Sequence, residues 1–289
     1  MNIVKARKYF YLFSAVLVVL SFASFLFFGL NFGTDFKGDA LLDIEYSAPV
    51  SAEAVRGDFQ TLNLGDVKIS IQGDRRFSLR TKYLTQDEHE LVLGALKREG
   101  EFEEKNFIST GPSIGAQLRR NAILAIIFAL VAIILYITFA FRKVSKPISS
   151  WIYGSIAVIA LFHDIIIPTG LFSLLRFEID SLFITALLTV FGFSVHDTIV
   201  VFDRVRENLR RDVRGKFEDI VERSLRETIG RSINTSLTTL FSLLAVYFFG
   251  GPSTQHLALA LIAGIVVGTY SSIFIASTLL VTVAKRKGY

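Results

Sequence analysis

Three ionisable side chains stand where lipid would be their solvent, and they are the first candidates for chemistry. Asp164 sits near the middle of one long apolar run, Asp197 lies inside the next, and Arg231 opens another. A charge inside a membrane span costs at least ~2.5–3.5 kcal/mol on insertion scales, so each needs a partner or a task. Arg231, Thr235, Thr238 and Ser242 recur at spacings of four, three and four, which places them on one helical face. This pattern predicts an Asp197–Arg231 pair between adjacent helices. Such a pair is either a static clamp or a proton switch. Burial favours the protonated carboxyl and a nearby arginine favours the carboxylate, so separating the two couples position to proton occupancy. His163 and His196 each precede one of the aspartates, as relay members or as plain interhelical hydrogen-bonding groups.

The elements that must hold these groups are membrane spans. Of 289 residues, 52% are apolar, 27 are Phe and none is Cys, and the mean hydropathy is +0.50. Charged residues make up 20%, below the ~25% of soluble chains. The lack of Cys excludes disulfide scaffolds, thiol chemistry and Cys-ligated zinc. A span needs about 20 apolar residues. Residues 9–31 supply the first, after Lys5, Arg7 and Lys8, and read as an uncleaved anchor. The others are predicted at 121–141, 148–175, 181–203, 231–250 and 256–284, with a turn at Gly250-Gly251-Pro252-Ser253. Between the fourth and fifth, residues 204–230 read as an amphipathic helix on the membrane surface, with Phe217, Ile220, Val221, Leu225 and Ile229 at helical spacing. The sixth span carries a small residue every fourth position, Ala260, Gly264, Gly268, Ser272 and Ala276, a close-packing stripe.

Lys5/Arg7/Lys8, Arg142/Lys143/Lys146, residues 203–231 and Lys285/Arg286/Lys287 all fall on one side, which places both termini in the cytoplasm. Residues 33–118 carry 15 acidic and 10 basic side chains, a net of −5, so the chain's net +5 reflects topology and not nucleic-acid binding. The stretch 32–118 reads as an extracytoplasmic domain ordered β-α-β-β-α-β: strand 40–46, a helix over 51–62 capped by Ser51, strands 67–71 and 77–82 around a Gly73-Asp74 turn, a helix opened by the Thr85–Glu88 capping box and ending at Gly100, and strand 102–108. That order is the ferredoxin-like one. The fold class expected is therefore a six-span α-helical membrane protein with a small α+β ferredoxin-like domain between spans one and two, divided as 1–31, 32–118 and 119–289. The small domain holds no phosphate loop or catalytic cluster, so binding or movement is expected of it.

Several motifs in order resemble the SecF family, the smaller membrane subunit of the SecD–SecF protein-export machine. Gly33-Thr34-Asp35-Phe36-Lys37-Gly38 follows the first span, and Gly111-Pro112-Ser113-Ile114-Gly115 precedes the second. His163-Asp164 lies in the third, the run Ser194–Asn208 with His196-Asp197 in the fourth, and Arg231-Ser232-Ile233-Asn234-Thr235-Ser236-Leu237-Thr238 opens the fifth. The resemblance spans almost the whole chain. It implies half of an RND-type transporter in the bacterial inner membrane. Its partners would be SecD, the SecYEG channel and YajC, with protons driving preprotein release on the far side and no cofactor. It assigns Asp197 and Arg231 to a proton relay; Asp164, His163, His196, Asn234, Thr235 and Thr238 are read beside them as supporting residues. Gly33, Asp35, Phe36, Lys37 and Gly38 form the family motif loop. The sequence departs from the family at His196, where Asn is usual, and at Asp39, where Gly is usual.

Other readings compete. A proton-driven exporter half for small molecules or lipids would share the six-span plan, and only the motifs argue against it. An intramembrane hydrolase would need His163, Asp164, His196 and Asp197 to converge on a metal, but no H-E-x-x-H is present and no metal site is expected. A purely structural scaffold leaves Asp197 and Arg231 unexplained.

Overall fold

Burial in the first helix is inverted relative to a water-soluble protein. The computed structural model describes residues 2–62, 67–142, 148–211 and 215–287, and its helix α1 (Arg7–Phe28) buries only Ser14, Ser21 and Ser24. Its large side chains, such as Leu12, Phe13, Val19 and Phe27, face outward. That is the pattern expected where the surroundings are as apolar as the core and close approach is gained through small residues. The approach is to α6 (Ser150–Leu175). A methyl on Gly170 would lie 2.4 Å from Ser21 Oγ, while Ser24 Oγ donates to Ser173 Oγ at 3.0 Å.

Five elements follow α1 up to β3: α2 (Thr34–Lys37), β1 (Asp39–Tyr46), α3 (Ala52–Thr61), β2 (Lys68–Gln72) and β3 (Arg76–Lys82). After them come α4 (Gln86–Leu96), β4 (Phe102–Ser109), α5 (Pro112–Ala140), α6, α7 (Ser181–Arg211), α8 (Phe217–Phe249), α9 (Pro252–Ser271), a π-helical turn (Ser272–Ala276) and α10 (Ser277–Arg286). Among the described residues, six helices are long and apolar enough to cross a membrane, the last running through α9, the π turn and α10. The chain divides into two compact units, one of residues 2–31 with 124–287 and one of residues 32–123.

In the smaller unit the strands form one antiparallel sheet in the order β2-β3-β1-β4. β1 alternates strictly, so Ala40, Leu42, Ile44 and Tyr46 point into the core. Val55 and Phe59 of α3 and Val92 and Leu96 of α4 complete that core. Thr85 Oγ1 accepts from the Glu88 N–H, and Glu88 Oε2 accepts from the Thr85 N–H at 2.9 Å, a closed capping box. α4 stops at Leu96, short of the Gly100 expected. Arg98 and Glu99 donate to the carbonyls three residues back, which tightens the last turn, and Gly100 at φ 152 directs the chain into β4.

The two glycine motifs that flank this sheet meet each other. Gly38 closes α2 in a left-handed conformation, φ 76. A Cβ there would lie 2.5 Å from Pro112 Cα, and one on Gly115 would lie 2.9 Å from Gly38 N and 3.3 Å from Asp35 O. The motif loop of Gly33, Asp35, Phe36, Lys37 and Gly38 is thus seated backbone to backbone on the first turn of α5.

In the larger unit α7 and α9 run in parallel with steps of four in register. Val190 faces Gly264 and Ser194 faces Gly268, while Thr198 hydrogen-bonds Ser272. The small-residue stripe therefore packs helix on helix. Residues 204–230, expected as a separate surface helix, instead extend α7 to Arg211 and begin α8 at Phe217. Their apolar residues Phe217, Val221 and Leu225 join one cluster with Ile3, Val4, Phe202, Val205, Leu280 and Ala284, so protein and not lipid covers the stripe. Ion pairs fasten the same end: Arg7 and Lys285 reach Glu218 at 2.9 and 2.6 Å, and buried Glu222 accepts the Val4 N–H at 2.9 Å. Lys143 and Lys146 of the expected basic loop lie outside the described residues.

Candidate functional site

Asp197 is buried on α7, but its partner is not Arg231. Ser232 Oγ donates to Asp197 Oδ1, and Oδ2 is buried with no hydrogen bond among the described residues. Successive helical residues are about 100° apart, so with Ser232 turned toward α7, Arg231 is turned away. Arg231 is exposed and makes no ion pair among the described residues. Arg231, Thr235, Thr238 and Ser242, expected on one helical face, are all exposed on α8, as is Asn234. The face that meets Asp197 is instead the one carrying Ser232.

Arg231 lines a cavity of about 480 Å³ together with Asp203, Arg204, Glu207, Glu227 and Thr228. Arg204 is already held by Glu227 at 2.6 Å, and Asn208 joins Glu227 at 2.8 Å. Arg231 is thus the cation of this cavity left without a carboxylate among the described residues.

Asp164 has the richest surroundings of the three. It is fully buried on α6. Its Oδ2 accepts from Ser194 Oγ of α7 at 2.5 Å and from Ser271 Oγ of α9 at 2.8 Å, and its Oδ1 faces His163 Nδ1 at 3.0 Å. Ser194 opens the fourth-span motif and Ser271 belongs to none, yet nothing in the sequence ties either to Asp164, because one hydroxyl on each of two helices has no period to detect. The π turn at Ser272–Ala276 lies directly beyond Ser271, in the kind of place where such turns gather around function. Ser272 Oγ lies 3.3 Å from the Ser194 carbonyl and 3.0 Å from Thr198 Oγ1. Ser236 Oγ of α8 lies 2.6 Å from Thr269 Oγ1 of α9. Hydroxyl groups thus line the space from Asp164 to the neighbourhood of Asp197.

His196 is exposed, so the two His-Asp pairs do not converge. Among the described residues no three His, Asp or Glu side chains gather as a metal site would require.

The family model described as protein export membrane protein SecD/SecF, C-terminal, matches residues 92–286. A protein of Thermobaculum terrenum named protein translocase subunit SecF is 44% identical over 97% of this chain and 93% of its own length. A protein of the same name from Sebaldella termitidis is 34% identical over 99% of this chain and 93% of its own. The crystal structure of SecDF from Thermus thermophilus, described as a translocon-associated membrane protein, superposes with a TM-score of 0.86 at 33% identity, over 99% of this chain and 39% of that one. A second structure, SecDF in a super-membrane-facing form, gives 0.72 at 32%, over all of this chain and again 39% of the other. The present chain spans about two fifths of those SecDF chains. With this identity over nearly its whole length, the chain belongs to the SecD/SecF family of protein export membrane proteins, alongside the translocase subunits named SecF.

Proposed function

We propose that this chain is the SecF subunit of a protein translocase. In this reading it pairs with SecD, acts with YajC at the SecYEG channel, and uses the proton-motive force to move preproteins through the channel and release them. It lies in the bacterial cytoplasmic membrane with both termini inside. The unit of residues 32–123, its βαββαβ order read as ferredoxin-like, stands on the outer side and moves with the cycle.

One observation carries the proton reading. Asp197 is enclosed with Oδ1 held by Ser232 and Oδ2 without a hydrogen bond among the described residues, while Arg231, the residue before Ser232, stands exposed beside a polar cavity. A buried carboxyl with spare acceptor capacity next to an unsatisfied cation is a place where gaining or losing a proton changes what pairs with what. Asn234, Thr235 and Thr238 extend the exposed polar face of α8. A face of this kind within a span fits a partner helix bearing carboxylates, and SecD would supply it.

The test uses membrane vesicles holding a preprotein part-way through the channel. Wild type should complete translocation faster with a proton gradient than without, and Asp197→Asn should lose that difference. An equal response from both proteins sinks the relay.

A further inference from the structure

Asp164 is more completely enclosed than Asp197, and its surroundings contain a second titratable group. The neighbours of its carboxyl are His163 on its own helix, Ser194 from α7, and Gly268, Ser271 and nearby Tyr270 from α9. The Tyr270 ring lies 6.2 Å from that of His163, and its hydroxyl is bound to the Phe10 carbonyl of α1 at 3.0 Å. Among the described residues no Lys or Arg pairs with Asp164. His163 is itself buried, and its Nε2 has no hydrogen-bond partner among the described residues. Pro168 stands four residues beyond Asp164 and has no N–H to give its carbonyl. A carboxylate, an imidazole with one ring nitrogen engaged and the other open, and two hydroxyls from two other helices are therefore enclosed together.

We infer that His163 and Asp164 form a second proton-holding centre, preceding Asp197 on the route from the outer side. This rests on the proton-driven reading given above. With α6 and α7 both crossing the membrane, Ser194 places the pair about 4.5 Å, three residues, nearer the outer end of α7 than Asp197. A proton arriving at His163 Nε2 makes the ring cationic, and the Nδ1 proton passes to Asp164 Oδ1. One N–H bond forms, another breaks, and one O–H bond forms, with no other reactant needed. Onward transfer has Ser194, Ser272 and Thr198 as the hydroxyls between the two aspartates. The two oxygens of Asp164 face different partners: Oδ1 receives the proton from His163, and Oδ2, which ties α6 to Ser194 of α7 and Ser271 of α9, is the side from which it leaves toward Ser194 once the protonated carboxyl has turned over.

The experiment is infrared difference spectroscopy of the full chain with its partner subunit in liposomes, taken between mildly alkaline and mildly acid pH. Wild type should show protonated-carboxyl bands, one absent in Asp164→Asn and a different one absent in Asp197→Asn. His163→Gln keeps Asp164 intact, and its band should shift in frequency or lose amplitude, because the ring that hands over the proton is gone. No band lost in a folded, assembled Asp164→Asn, or a band indifferent to His163→Gln, overturns the inference. If Asp164→Asn fails to assemble, the His163→Gln result alone decides. The vesicle assay separates the two proposals. A gradient effect that survives Asp197→Asn defeats the relay whatever the spectra show, whereas loss of that effect with no Asp164 band defeats only this second centre.

Discussion

The α7–α9 seam positions Ser194, Thr198, Ser271 and Ser272, and its tightness predicts the effect of a single methyl. A Cβ on Gly264 would lie 2.3 Å from Val190 Cγ2 and 2.9 Å from Cγ1, where carbons normally rest ~3.5–4.0 Å apart. Val190 is only 1% exposed, so it has no room to retreat. Gly264→Ala should therefore destabilise by about 1–3 kcal/mol, the usual cost of overpacking by a methyl. Val190→Ala removes two buried carbons at ~0.8 kcal/mol each, with a further cavity cost. Together the two changes exchange a large–small pair for two of medium size. The double variant should then be more stable than the sum of the singles by at least ~1 kcal/mol, the coupling expected of residues in contact. The assay is unfolding of the purified chain in mixed micelles with increasing SDS, followed by helix content. Additivity within ~0.5 kcal/mol would mean that the seam is not close-packed at this point. In that case Gly268, one turn along and facing Ser194 and Asp164, loses its explanation as well.

Two further outcomes are expected in the smaller unit. Gly115→Ala brings a Cβ within 2.9 Å of Gly38 N, so the motif loop must lift from α5. Hydrogen exchange over 34–38 should speed by about tenfold or more, as expected from ~1–3 kcal/mol of overpacking, and unchanged exchange refutes the backbone seam. The Glu88 carboxyl is held below the usual range first by the Thr85 N–H and then by the Lys82 ammonium. A depressed folded-state value means that its stabilising effect is present above the unfolded value of about 4.3 and is lost as pH falls through the lower folded one. Protection of the first turn of α4 should drop across that acid window in wild type. In Glu88→Gln the drop should be absent, and an identical profile in both proteins would show that the box contributes nothing.

What the sequence reveals depends on whether a feature repeats. The spans are legible because twenty apolar residues in a row have few alternatives. The Thr85–Glu88 box is legible because it is local. The ends of α7 and α8 are not, since the amphipathic stretch over 217–229 looks the same whether lipid or Ile3, Val4 and Phe202 cover it. Asp197 and Arg231 are visible in the sequence as anomalies, but their relation is not. Which of two consecutive residues, Arg231 or Ser232, faces α7 is set by packing across the seam and not by spacing. The serines around Asp164 carry no signal at all until three helices are brought together. Likewise, the contact of Gly38 with Gly115 joins positions 77 residues apart, a closeness that neither motif announces alone.

The length of α8 has a mechanical consequence. Its 33 residues make a rod of about 50 Å at 1.5 Å per residue, whereas the hydrocarbon layer is about 30 Å thick. The surplus forms a handle at one end, gripped by the Val4 amide, Arg7 and Lys285 through Glu222 and Glu218. Arg231 and Ser232 stand about 100° apart on the shaft. A twist of a little over a quarter turn exchanges a hydroxyl for a guanidinium opposite Asp197. The same twist pulls on Val4, Arg7 and Lys285, so torque applied at those three residues and a change of charge at Asp197 act on one axle.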